Sequence, residues 1–419
     1  MQQPQILFLA HRIPYPPNKG DKIRSFNLLK LLARNHQVDL LCLADDPQDL
    51  QYAENLREYC REVHVAPLRP VFGKLRGLWT LALGGAISQG YFSHPDLHRT
   101  AAALLARHPY RALFCCSSPM AEYVFRSRPP AGARLIMDFC DVDSDKWRQY
   151  AEHAPFPLRQ IYAAEARRLL RYEIRVNRAF QASLFVSPQE TALFQRLDPG
   201  AGNLFTIPNG VDFGYFEPTG EKCGEKCGEK GGEKGGEKGP VRDASAPTLV
   251  FAGAMDYQAN VHGIVWFAKK VFPRILETRP GTRLHIVGRN PAPEVRALEA
   301  SPQITATGYV PDMRPYYRDA DVCIAPLHIA RGVQNKVLEA MAMEKPVVAT
   351  SAALSGIPAV PGEHLLLADT EADFAQAVLR LLQEPAQARE LARASREFVL
   401  REYSWESRLP QLEGIIRAG

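Results

Sequence analysis

The sequence predicts an α/β protein built as two doubly wound, Rossmann-like domains with parallel sheets, and three observations carry that prediction. At 419 residues the chain exceeds what one hydrophobic core usually serves, so two domains of about 200 residues each are expected. Short apolar runs alternate with helical patterns along most of it, the rhythm of strand, helix, strand crossovers. The balance of 46% hydrophobic and 23% charged residues is that of ordinary globular domains and excludes a disordered or fibrous chain. The expected boundaries are 1–200 for the first domain, 201–400 for the second and 401–419 for a terminal helix.

Composition also narrows the classes of function. No apolar run reaches the roughly 20 residues of a membrane-spanning helix. Residues 1–10 lack the basic n-region and cleavage site of a secretory signal, and the expected location is the cytoplasm. Eight cysteines follow no secreted disulfide spacing; Cys42, Cys115, Cys116 and Cys323 fall in strand-like runs, where a thiol acts as a small hydrophobe. Residues 1–199 hold 26 Lys/Arg against 19 Asp/Glu, so the first domain is the basic one. No aromatic platform or known module accompanies that charge, and nucleic acid is not expected as a partner.

In order along the chain, residues 5–10 form a continuous apolar run, as a buried parallel strand requires. The loop after it contains Pro14, Pro16 and Pro17, which stiffen it, and Gly20, which frees the backbone. Asp21 is placed to cap a helix from about residue 22 to 35. Ligands of open parallel sheets bind at the carboxyl ends of strands, so Lys19, Gly20, Asp21 and Lys22 stand where a cleft is expected; the competing reading is an ordinary capped turn. Strands at 38–43, 63–67 and 111–116 and helices at 47–60 and 94–107 continue the rhythm. Residues 71–90 interrupt it with Leu75, Leu78, Trp79, Leu81 and Leu83 beside Arg69, Lys74 and Arg76. This segment either packs into the core or lies peripherally on an anionic membrane, at the inner face of the plasma membrane.

At 135–147 an apolar strand runs out into Asp138, Asp141, Asp143 and Asp145. Asp141 or Asp143 can accept a hydrogen bond from a hydroxyl group or join a Mg²⁺ site, or Asp143 and Ser144 can cap the next helix. The helix of 158–178 aligns Arg168, Arg171, Arg175 and Arg178 in a stripe that is either solvated or faces an anionic headgroup or diphosphate. A strand at 183–187 ends on Ser187. Residues 220–239 are five Gly-Glu-Lys units, which cannot bury enough surface to offset the entropy of ordering, so a disordered loop is expected. Cys223 and Cys227 within it fall short of a four-ligand zinc set, and no metal is expected.

The second domain repeats the pattern with strands at 248–253, 283–287 and 321–325, a helix at 260–277 and three helices from 371 onward. Its most informative stretch is 330–350, ARGVQNKVLEAMAMEKPVVAT. Gly332 lets a loop approach a ligand, and the helix opening after it aims free N–H groups and partial positive charge outward, an anion site. Val337, Leu338 and Met341 can face the core, while Asn335, Lys336 and Glu339 share the other face. Lys336 suits phosphate as a point charge, and Glu339 suits a vicinal diol; the competing reading is a solvated ion pair.

LEAMAMEKPVVAT and IPNGVDFGYF resemble the retaining glycosyltransferases of family 4, which are GT-B enzymes with two facing Rossmann-like domains, an interdomain cleft and a nucleotide-sugar donor. With HRIPYPPNKGDKIRSFN, DFCDVDSDKW and RGVQNKVLEAMAMEKPVVAT, the chain is similar to sugar transferases of bacterial exopolysaccharide loci associated with exosortase and PEP-CTERM proteins. The resemblance covers nearly the whole sequence. It implies a hexosyltransferase that moves a sugar from a nucleotide-diphosphate donor to a hydroxyl of a glycan or lipid-linked glycan, with retention and without a separate cofactor. It further implies donor contacts at Gly20, Asp21, Gly253, Gly332, Val333, Asn335, Lys336 and Glu339, an acceptor side at Lys19, Lys22 and Ser187, and chemistry at Asp141, Asp143, Arg331 and Lys336. PNGVD is the implied hinge, and the terminal helix crosses back onto the first domain. The sequence departs from the family in two places. Arg331 stands where the first of two glutamates eight residues apart is usual, and Ala254 and Asn260 stand near the usual diphosphate-binding arginine and lysine, which shifts that task to Arg331 and Lys336. A nucleotide-sugar epimerase of the same fold and an exported, non-enzymatic sugar-binding protein are the alternatives.

Overall fold

The computed structural model describes residues 3–17, 20–218, 246–329 and 333–418. They form two compact units, Met1–Asn209 with Trp405–Gly419, and Gly210–Ser404. Unit 1 is built on seven parallel strands: β1 (Gln5–Ala10), β2 (Gln37–Ala44), β3 (Glu62–Pro67), β4 (Ala112–Cys116), β5 (Arg134–Cys140), β6 (Ala182–Phe185) and β7 (Leu204–Thr206), in the order β3-β2-β1-β4-β5-β6-β7. β1 and β4 are apolar and buried along nearly their whole length, because a parallel sheet is covered on both faces. Successive residues of β1 feed opposite cores: Leu7 and Leu9 join one cluster, Ile6 and Phe8 the other.

Unit 2 is built on six parallel strands: β8 (Thr248–Ala252), β9 (Arg283–Val287), β10 (Ile304–Gly308), β11 (Val322–Ala325), β12 (Val347–Ala349) and β13 (Leu366–Leu367), in the order β10-β9-β8-β11-β12-β13. In each sheet the winding reverses once, between β1 and β4 and between β8 and β11, and crevices open outside the carboxyl ends of strands at such points.

Two expected helices take other forms. Residues 47–60 fold as a 3₁₀ segment, Pro47–Tyr52, and a single α turn, Ala53–Leu56. The tighter winding places Asp49 against Lys22, and Asp46 caps its start by accepting from Gln48 N–H at 2.9 Å. The helix expected at 260–277 runs Gln258–Trp266, widens into a π segment, Phe267–Val271, and continues as Phe272–Thr278. Pro273 has no N–H to give the ladder, and Phe272 N–H reaches back five residues to Phe267 O.

The chain passes between units at Asn209–Gly210 and again at Ser404–Trp405. The first crossing is anchored within unit 1 by Arg24, whose buried guanidinium donates to Ile207 O at 2.7 Å and Asn209 Oδ1 at 2.9 Å while clasping both oxygens of Asp138. Within unit 2, Val211 N–H donates to Tyr403 O at 2.7 Å, so the two crossings run side by side. The returning segment buries Trp405, Leu412, Ile415 and Ile416 in the core of unit 1.

Candidate functional site

In unit 2 the chemistry gathers beyond the end of β8, on the helix Asn335–Ala342. Val337, Leu338, Ala340 and Met341 are buried, which leaves Asn335, Lys336 and Glu339 half-buried on its flank. Val333, in the loop before it, packs against the unit 2 core. No side chain caps the first turn, and Arg396 donates to Ala342 O at the other end, where the helix dipole is negative.

Lys336 Nζ donates to Asn260 Oδ1 and lies 4.7 Å from the centre of the Phe251 ring. Asn260 also donates to Ala254 O at 2.8 Å. Gly253 makes this arrangement possible. A Cβ there would stand 2.7 Å from Asn260 Nδ2 and 3.2 Å from Lys336 Nζ, so any side chain would displace the ammonium. Burial pulls the Lys336 ammonium down to about 7, with Glu339 opposing. Glu339 accepts from Tyr317 Oη at 2.9 Å; burial pushes its carboxyl up, while Tyr317 and Lys336 pull it back. A cation and a carboxylate one turn apart, beside a helix N-terminus and a backbone stripped of its Cβ, can hold a phosphate and a hydroxyl pair. A depression of about 330 Å³ in the same unit lies at the opposite, amino ends of the strands, lined by Pro247, Asp321 and Lys345, and takes no part in this arrangement.

In unit 1, β1 delivers His11 and Arg12. Arg12 reaches Asp21 Oδ2 at 2.6 Å and Asp45 Oδ2 at 2.9 Å, and His11 Nε2 lies 3.3 Å from Asp21 Oδ2. Asp21 is therefore not the helix cap expected from the sequence. The helix Gly20–Ala33 has already begun, and the carboxylate is drawn into these pairs. Burial alone would raise it, but His11 and Arg12 hold it well below the usual carboxylate range. Among the described residues, its chain neighbours aside, no heavy atom lies within 4 Å of where a Cβ of Gly20 would stand.

Two residues expected on the acceptor side are committed elsewhere. Lys22 is 1% exposed and pairs with Asp49 Oδ2 at 2.6 Å, a buried ammonium that fastens the Pro47–Tyr52 segment. Ser187 is fully buried and caps the helix Pro188–Leu197, its Oγ accepting from Glu190 N–H at 3.2 Å. Lys19, Arg331, Gly332 and the Gly-Glu-Lys repeat at 220–239 lie outside the described residues.

Asp141 and Asp143 follow β5 after a backbone reversal at Cys140, whose φ is 65°. Neither Asp143 nor Ser144 caps the next helix: Asp143 is its first residue, Val142 N–H donates to Glu190 Oε2 at 2.8 Å, and Ser144 donates from N and Oγ to buried Glu173 at 3.2 and 2.5 Å. Desolvation in this loop, with the like charges of Glu190 and Asp143, raises Asp141 to about 6, and desolvation also raises Asp143. Asp141 is itself solvent-exposed, which offsets part of that rise and leaves its carboxylate open to a hydroxyl group from solution. Among the described residues, no group of three His, Cys, Asp or Glu is arranged to hold a metal ion.

Sequence reasoning passed over Arg12, Asp45, Glu173, Glu190 and Tyr317. Arg12 and Asp45 directly follow β1 and β2, so the strand-end rule applied to Lys19–Lys22 could have found them. Tyr317 carried no signal, because its partner Glu339 lies 22 residues further on and nothing near it points there.

Comparison with known proteins agrees with this architecture. The chain is similar to a sucrose-phosphate synthase from Thermosynechococcus elongatus (TM-score 0.68, 20% identity, 99% of this chain and 98% of that one). It is also similar to Anabaena HepE solved with UDP (TM-score 0.65, 14% identity, 99% and 100%) and to a glycosyltransferase from Rickettsia africae (TM-score 0.64, 12% identity, 100% and 100%). The fold is therefore GT-B. Residues 25–210 match the family described as glycosyl transferase 4-like domain, and residues 246–384 match glycosyl transferases group 1. The chain belongs to the GT-B glycosyltransferase superfamily. It is 21% identical over 418 residues, 95% of this chain and 96% of the other, to an uncharacterized 44.6 kDa protein in the cps region of Klebsiella pneumoniae.

Proposed function

We propose that this chain is a retaining, family 4 hexosyltransferase that moves a sugar from a nucleotide-diphosphate donor to a hydroxyl of a lipid-linked glycan, in the cytoplasm, during exopolysaccharide synthesis. The observation that carries the reading is the placement of Lys336 and Glu339 one turn apart, over a glycine-cleared backbone at the switch point of the unit 2 sheet. HepE, of the same fold, has been solved with UDP and with UDP-glucose, and the cps-region relative supports a polysaccharide pathway. In this reading Lys336, the N–H groups from Val333 and Asn335 onward, and Arg331 neutralise the leaving diphosphate. Each well-placed donor of that kind contributes about 3 to 4 kcal/mol to the transition state. Glu339 takes the donor ribose hydroxyls, Tyr317 fixes its carboxylate, and Asp141, with Asp143 beside it, accepts the proton of the attacking hydroxyl. No separate cofactor enters.

Thermal-shift measurements against UDP, GDP, ADP and dTDP sugars test it, since a ligand at 100 times its Kd adds about 2.7 kcal/mol to stability. The expected result is stabilisation by one nucleotide class, followed by sugar transfer from that donor with the α-anomer retained. Stabilisation by none of them, or conversion of a nucleotide sugar to its epimer without any acceptor, would overturn the assignment.

A further inference from the structure

The helix Pro70–Ala82 is turned the wrong way round for a soluble domain. Val71, Phe72, Leu75, Leu78, Trp79 and, just past its end, Leu83 recur at the spacing of one helical stripe, and each is more than half exposed. The buried face consists of Gly73 and Gly77, which let the helix press against Ile87–Tyr91. A Cβ at 73 would meet Tyr91 Cδ2 at 3.0 Å, and one at 77 would meet Ile87 Cγ2 at 2.7 Å. Glycines thus secure the inner face while the apolar side chains point outward. An exposed apolar stripe of this size marks a surface that something covers.

Charge identifies what covers it. From Val63 to Pro95 the sequence has Arg69, Lys74 and Arg76 and no carboxylate. The neighbouring helix Leu158–Ala179 is tied to this hairpin: Arg168 donates to Leu81 O and Gly85 O, and Glu165 accepts from Ile87 N–H and Ser88 N–H. That helix contains two acids, Glu165 and Glu173, and both are buried, so its exposed charges, Arg167 and Arg171 among them, are all cationic. An apolar stripe carrying a tryptophan and rimmed by cations without carboxylates is complementary to a lipid interface of anionic headgroups.

We propose that the Pro70–Ala82 helix docks unit 1 on an anionic bilayer, with Trp79, Leu75 and Val71 inserted at the acyl boundary and Lys74, Arg167 and Arg171 among the headgroups. The surface is independent of the donor site, and the proposal does not rest on the catalytic reading.

The full chain is mixed with phosphatidylcholine vesicles with and without phosphatidylglycerol and separated by flotation. Binding is expected only with the anionic lipid, and raising salt above physiological strength, where screening already acts within about 8 Å, should release the protein. Val71→Ser/Leu75→Ser/Trp79→Ser should abolish flotation with an unchanged melting profile, since these side chains contribute little to the core. Lys74→Gln/Arg167→Gln/Arg171→Gln should weaken it about a hundred-fold, at roughly five-fold per cation. Quenching of Trp79 emission by brominated-chain lipids, absent in Trp79→Phe, reports insertion without requiring a surface variant to fold. Equal flotation with neutral vesicles, retention by both triple variants, or no Trp79-dependent quenching overturns the proposal. So does a wild-type dimer that the serine variant converts to monomer, which would make the stripe a face between two copies.

Discussion

Lys336 concentrates the chemistry of unit 2 because its surroundings make its charge conditional. With the free ammonium poised at about 7, a bound diphosphate must favour its protonated form, so binding takes up a proton above neutrality. The Kd for UDP measured by calorimetry is therefore expected to be flat below about pH 7 and to rise by up to about ten-fold per pH unit above it. Lys336→Met should bind weakly and without that dependence; a pH-independent Kd in the parent would remove Lys336 from the diphosphate. Glu339→Gln keeps the volume but loses charge assistance of about 1 kcal/mol for each of the two ribose hydrogen bonds, so donor affinity should fall about thirty-fold while folding is retained. Glu173 makes the converse case in unit 1. Burial raises its carboxyl, Ser144 lowers it, Asp143 raises it again, and the result is about 8 against an ordinary 4.5. The folded state then holds the extra proton between those values, so Glu173 withdraws stability as pH climbs from about 4.5 to about 8 and nothing further changes above. Glu173→Gln should gain in melting temperature relative to the parent across that window. An offset equal at pH 5 and pH 9 would show that the carboxyl does not titrate there.

At the scale of elements, Arg24 shows how one side chain joins local structure to chain routing. It stands on the Gly20–Ala33 helix, takes Asp138 from β5 bidentately and holds the last residues of unit 1 through Ile207 and Asn209. Arg24→Leu leaves Asp138 buried and unpaired, which should cost about 3 to 5 kcal/mol, read from urea unfolding. Adding Asp138→Leu should recover a large part; if it does not, the pair is not the source of the loss. Most strands were legible because parallel strands buried on both faces must be apolar throughout, as in β1, β4 and β8; the partly exposed β7 and β10 and the two-residue β13 lack that run and were not expected. The helix Asn335–Ala342 was legible because Lys336 and Glu339 sit one turn apart and opposite Val337 and Met341. What resisted reading were polar residues whose partners are distant in sequence. Nothing near Lys22 announces Asp49, and Ser187 looks the same whether it caps a helix or faces a substrate. The 47–60 region failed for a related reason, since the ion pair that its 3₁₀ winding makes with Lys22 is tertiary and leaves no mark in the periodicity.

At the scale of the whole molecule, the chain builds unit 1 from both its ends. The segment Trp405–Gly419 brings Trp405, Leu412, Ile415 and Ile416 into the same core as Ile6, Phe8 and Phe114, whereas the core of unit 2 draws on none of them. Removing one large buried side chain costs about 2 to 5 kcal/mol, so losing four exceeds much of the roughly 5 to 15 kcal/mol that stabilises a domain. A chain ending at Ser404 is therefore expected to lose the folded state of unit 1 and keep that of unit 2. Unit 2 retains the Val211 to Tyr403 hydrogen bond and all of its strands up to that cut. Differential scanning calorimetry should show one of two transitions disappear, and limited proteolysis should leave a protected fragment beginning near Gly210. UDP should still shift the surviving transition, because Gly253, Asn260, Lys336 and Glu339 all belong to the remaining unit. If both transitions persist in the truncated chain, the terminal helix only covers unit 1 and its core is complete without it.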